Sequence, residues 1–137
     1  LGRLPGDPER YEWLQWIHYA ETIAVHGAAL IQQRVFIAPE DRSPVLNKLE
    51  TRRLQKAVEV VDTALEGRDY LLASGFSAAD VAVGYSMHLG RLMADLSRYP
   101  RAEAWYQRLA ARRDHGARPV DRGLLGAAGL ELRDNLQ

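Results

Sequence analysis

The side chains able to do chemistry are few and widely spaced. Of the four histidines, His18, His26, His88 and His115, only His18 has helical neighbours of a metal-like kind, Glu21 and Thr22. A metal held between helices needs several convergent carboxylates and imidazoles, so no metal ligand is assigned. Ser86, His88 and Asp95 could be drawn as nucleophile, base and orienting acid, but no serine sits in a strand-turn-helix elbow that would expose it. The absence of cysteine removes thiol nucleophiles, thiolate metal sites and disulfides together. Gly126-Ala127-Ala128-Gly129 has neither the spacing nor the preceding strand of a phosphate-binding loop. No catalytic residue is therefore assigned. What remains is a polar stripe, Tyr19, Thr22 and His26, whose spacing puts ring and hydroxyl side chains on one helix face, where they can line a ligand cleft or form a solvent-facing stripe.

The elements that must position such a stripe are helices. With 137 residues, 47% of them apolar and 26% charged, the chain can bury a core as one globular domain. Eighteen basic and eighteen acidic side chains give no surplus charge for phosphate backbones or anionic membranes, so neither nucleic acid nor a membrane is an expected partner. No apolar stretch approaches the roughly 20 residues of a membrane helix, and a cytoplasmic, reducing setting is expected. No segment alternates apolar and polar residues between turn signals, and Val35-Phe36-Ile37 is too short to count as a strand. The expected fold is all-α, without internal repeats.

The first helix is expected from an Asp7 N-cap and Pro8 at N1 to about Ile37, before Pro39. Trp13, Trp16, Ala20, Ile23, Gly27 and Leu30 share one side, and Leu14, Ile17, Ala24, Ala28, Ile31 and Val35 the adjoining one. Together these sides span roughly 200°, more than a single core contact uses. A second helix is expected from Ser43-Pro44 to Gly67, with Leu46, Leu49, Leu54, Ala57, Val58, Val61, Ala64 and Leu65 as its apolar side. Glu50 and Arg53 fall on that side, three residues apart, able to pair with each other or to reach past the apolar rim.

A third helix carries a double start signal. Ser77 is placed to be its N-cap with Asp80 at N3, a capping box, and Phe76 at N′ with Val81 at N4 is placed as a hydrophobic staple. Its Gly84 and Gly90 are the small residues that let another helix approach. A fourth helix follows Tyr99-Pro100, with Trp105 and Leu109 facing inward. Between Arg98 and Arg122 seven arginines face three acids, a local excess of +4 read as a solvated face or tail, with a site for an anionic ligand or partner as the alternative. A last short helix over about Leu124–Leu132 is weakened by Gly126 and Gly129, and residues 113–137 are read as a tail of the single domain.

The run Tyr70-Leu71-Leu72-Ala73-Ser74-Gly75-Phe76-Ser77-Ala78-Ala79-Asp80-Val81 resembles the loop and capping box of the glutathione S-transferase C-terminal domain. Pro8–Glu21 is similar to that domain's first long helix and Tyr99–Leu109 to its later tyrosine-proline helix, in matching order. The resemblance covers roughly residues 5 to 112 and is nearest to bacterial members. It implies a right-handed bundle of five to six helices that normally follows a thioredoxin-like N-terminal domain, with glutathione bound by that first domain. The Leu1 start suggests a piece of a longer chain.

On that resemblance, this half would supply the pocket for a small hydrophobic electrophile and part of a homodimer contact. Glutathione conjugation would belong to the full-length chain, with glutathione as co-substrate and no cofactor in this chain. The cleft side would carry Tyr19, Thr22 and His26, and the dimer or domain interface Trp13, Trp16, Ile23 and Arg53. Ser77 and Asp80 carry over as folding residues. Arg112-Arg113-Asp114-His115-Gly116 departs from the family's usual continuation. The alternative is a non-catalytic helical module of the same fold used for protein association.

Overall fold

The computed structural model describes residues 1–112. The expected helix over 124–132, and the arginine-rich stretch beyond 112, lie outside the described residues. Within them are four α-helices and no strand: α1 (Arg10–Ile31), α2 (Pro44–Ala64), α3 (Ala78–Met93) and α4 (Pro100–Ala111). The all-α class holds, with four helices among the described residues where five to six were expected. None of the described helices is long and apolar enough to cross a membrane.

α1 starts later than its punctuation suggested. Asp7 is not its N-cap: the Asp7 carboxylate accepts the Glu9 N–H at 2.9 Å and its carbonyl accepts Arg10 N–H. Residues 8–9 are thus a turn stapled by Asp7, and regular α geometry begins at Arg10. At the other end the α-helix passes into a π turn over Gln32–Phe36, closed by the Ile37 N–H on the Gln32 carbonyl at 3.0 Å. Val35 and Phe36 are therefore helical, and Ile37 ends the turn in extended geometry. Ser43 caps α2 as expected, its Oγ accepting the Leu46 N–H at 3.2 Å with Pro44 at N1. Leu46 and Leu49 are not core residues, because α2 turns inward only from Glu50 onward and leaves both exposed.

α1 and α3 form the central packing layer, α2 lies beside α1, and α4 closes over α2 and α3. Trp16, Ala20, Ile23, Gly27 and Leu30 face in from α1, which is the stripe read from periodicity. They meet Leu54, Val58 and Val61 of α2, Val83 and Met87 of α3 and Trp105 of α4 in one continuous cluster. Each such side chain contributes about 1.5–3 kcal/mol on burial, so this layer rather than helix propensity holds the bundle. Glycines set its closest crossing. A Cβ built on Gly27 would stand 4.0 Å from the Gly90 Cα, and one on Gly90 would stand 3.2 Å from Leu54 Cδ1.

Candidate functional site

The most heavily bonded polar group in the described residues is the Asp80 carboxyl, which is fully buried. Oδ2 accepts the Ser77 N–H at 2.8 Å and the Ser77 hydroxyl at 3.3 Å; Oδ1 accepts the Leu71 N–H and the Trp105 indole N–H, both at 3.0 Å. Ser77 Oγ in turn accepts the Ala79 N–H at 3.2 Å. The capping box is present, and it does more than cap. It fastens the 70–77 loop and the core tryptophan of α4 to the start of α3, an arrangement for folding that offers no exposed atom to a substrate. Val81 is more than half exposed. Phe76 packs edge-on against Tyr70, centroids 5.7 Å apart, with the Arg112 guanidinium 3.7 Å above its ring.

The three stripe residues of α1 have different surroundings. Tyr19 is half-buried against α2: its hydroxyl donates to the Ala57 carbonyl at 3.0 Å, and burial pushes its pKa up. Thr22 is exposed. His26 also turns to α2, where Nδ1 donates to Glu50 Oε2 at 2.7 Å. Glu50 Oε1 accepts from Arg53 at 2.7 Å, so one nearly buried carboxylate bridges an imidazole and a guanidinium. Desolvation alone would raise the Glu50 pKa, but the hydrogen bonds from His26 and Arg53 outweigh it and hold the group below its ordinary value. The carboxylate on Nδ1 orients the imidazole towards α2. The stripe is thus brought to one helix pair, with Tyr19 and His26 as ties between α1 and α2.

The residues read as interface are divided in the same way. Trp16 and Ile23 are buried in the core of this chain and have no surface left for a second one. Trp13 is partly buried, and its indole N–H has no hydrogen-bond partner among the described residues. Arg53 lies on the outer edge of α2, about half exposed beyond its bond to Glu50. Two of the described arginines of the basic stretch are tied to the fold. Arg101 reaches Asp62 and Arg108 reaches Asp69, both as ion pairs.

Two polar residues that the linear reading passed over matter as much. Asp62, on α2 and nearly buried, accepts the N–H groups of Arg101 and Ala102 at 2.8 and 2.9 Å, capping α4 from another helix. Arg34, in the π turn, donates to Asn47 Oδ1 at 3.0 Å, to Thr51 Oγ1 at 3.1 Å and to the Met93 carbonyl at the end of α3. Neither leaves a local signal, since every partner is thirteen or more residues away.

Three surface clefts accompany these groups: about 690 Å³ between the end of α3 and the start of α4, about 370 Å³ between α1 and α2, and about 240 Å³ beside Phe76. The last is lined mainly by aromatic and apolar residues, Phe76, Val81, Tyr85, Tyr106 and Leu109 among them, with Asp80 and Arg112 as its charged members. None of the three is lined by Tyr19, Thr22 or His26. No group of histidine and acidic residues that could hold a metal occurs among the described residues.

The described residues form a helical bundle assembled around a buried Ser-Asp capping box, with clefts on its surface. In sequence it is 33% identical over 100 residues to the glutathione S-transferase-like protein LUC7 of a Fusarium species. That alignment takes in 69% of this chain and 44% of the relative, so the chain spans less than half of that protein's length. The chain is thereby related to a glutathione S-transferase-like protein. No family model matches it, and no solved structure does.

Proposed function

We propose that this chain is the C-terminal helical domain of a glutathione S-transferase-like protein of bacterial type. It would stand behind a thioredoxin-like domain that binds glutathione. Its own part would be to border the pocket for a small hydrophobic electrophile and to contribute to a cytoplasmic homodimer. The Asp80 network is the observation that carries this reading, because the same two residues that match the family's capping box, Ser77 and Asp80, organise the loop and helices around them. The relationship to a glutathione S-transferase-like protein supports it independently. Thr22 on the exposed face of α1, with Tyr19 and His26 behind it, is the proposed border of the electrophile pocket. The slot beside Phe76 is an alternative pocket among the described residues.

The second reading, a non-catalytic association module, is favoured by the α1–α2 corner, where Phe36 and Val45 are each about three-quarters exposed. Glutathione conjugation to a generic aromatic halide separates the two. The full open reading frame should conjugate and this chain alone should not. A longer frame that neither conjugates nor binds glutathione would leave the association module standing.

A further inference from the structure

The largest described cleft lies at the far end of α3 from the capping box. It opens between the last turn of α3, the 94–99 loop and the first turn of α4, and its volume of about 690 Å³ is that of a small-molecule site. Its walls are anchored. The Met93 carbonyl is held by Arg34, the Asp95 carbonyl accepts from Gln55 Nε2, and Leu96 and Tyr99 are buried within the loop. A ligand entering here would not have to order the loop first, which removes a main cost of binding.

The lining has an apolar part, including Leu92, Leu96 and Ala104, and a charged part formed by Arg91, Asp95 and Glu103. Arg91 is already compensated: it donates to Glu103 Oε1 at 2.8 Å and lies 4.3 Å over the Tyr106 ring. Asp95 makes no ion pair among the described residues, and its carboxylate accepts only local bonds, such as the Ser97 N–H at 2.9 Å. Those bonds from Ser97, the backbone one foremost, hold its pKa below the ordinary carboxylate value. Among the described residues the cleft therefore combines an apolar surface with one carboxylate that makes no ion pair.

We propose that this cleft binds an organic ammonium ion with an apolar body, the ammonium at Asp95 and the body over Leu92, Leu96 and Ala104. Neither the apolar surface nor the Asp95 carboxylate depends on the chain being part of a transferase, so the two readings fail separately. The test is titration of the full chain with 4-phenylbutylammonium, using 4-phenylbutanol and 4-phenylbutanoate as neutral and anionic counterparts, followed by amide-resolved NMR. The ammonium should bind most tightly, with shifts confined to residues 88–104. Asp95→Asn should weaken it about 1.5-fold to fivefold without changing the alcohol, the size expected for one exposed ion pair. Leu92→Gln should weaken both. Equal binding of all three compounds, indifference to Asp95→Asn, shifts centred elsewhere or no shifts at the solubility limit would each overturn the proposal.

Discussion

The Trp105 indole N–H donates to Asp80 Oδ1 at 3.0 Å, joining the largest buried side chain of α4 to the first turn of α3. Asp80 is thereby a tertiary tie as well as a helix cap, and its loss would strand buried donors on three separate segments. A buried polar group left without its partner costs about 1–3 kcal/mol. Asp80→Ala should thus destabilise the chain by about 3–5 kcal/mol, more than a cap alone is worth. Urea unfolding followed by tryptophan fluorescence should show a lower midpoint with an unchanged slope.

Asp62 caps α4 from α2, so the prediction there is regional. Asp62→Ala should cost about 1–2 kcal/mol, the size of an N-cap loss. Hydrogen exchange at Arg101 and Ala102, whose N–H groups it holds, should accelerate while the amides of α1 stay protected. Uniform acceleration across all four helices would contradict a cap confined to α4.

Glu50 sets an acid limit. A carboxyl whose pKa is held down in the folded state stabilises the fold above its unfolded value, and that contribution is lost as pH falls through the folded one. For Glu50 the contribution is complete above the ordinary value of 4.5 and fades below it. Glu50→Gln should therefore destabilise the chain at pH 7, with the difference from the parent shrinking once the pH drops below 4.5. Stability measured for both proteins from neutral to acid pH checks this, and parallel curves would count against the bridge from His26 through Glu50 to Arg53.

The α1–α3 crossing makes a prediction of opposite sign. Since a Cβ on Gly27 would meet nothing closer than 4.0 Å, Gly27→Ala should fit and stabilise by about 0.5–1 kcal/mol through helix propensity. Gly27→Leu has no such room beside Gly90 and should destabilise. Thermal unfolding of the two variants should move in opposite directions.

What the linear sequence determined is what depends on neighbours within one or two turns. The Ser43-Pro44 start of α2, the Ser77–Asp80 box and the buried stripe from Trp16 to Leu30 are set by cap chemistry and by the 3.6-residue period, both short-range. Even there a residue type with two uses misled: Asp7 precedes a proline as a cap would, yet it staples the turn before α1. Tertiary structure decided which side of α1's wide apolar arc is core, leaving Trp16 and Ile23 no free surface. It also decided the partners of the charged groups. Glu50 meets His26 across 24 residues, Asp80 meets Trp105 across 25 and Asp62 meets Arg101 across 39. Those pairs exist because helices cross at particular angles and heights, and the crossings are selected by the packing of the whole core, a quantity that no local window of sequence contains.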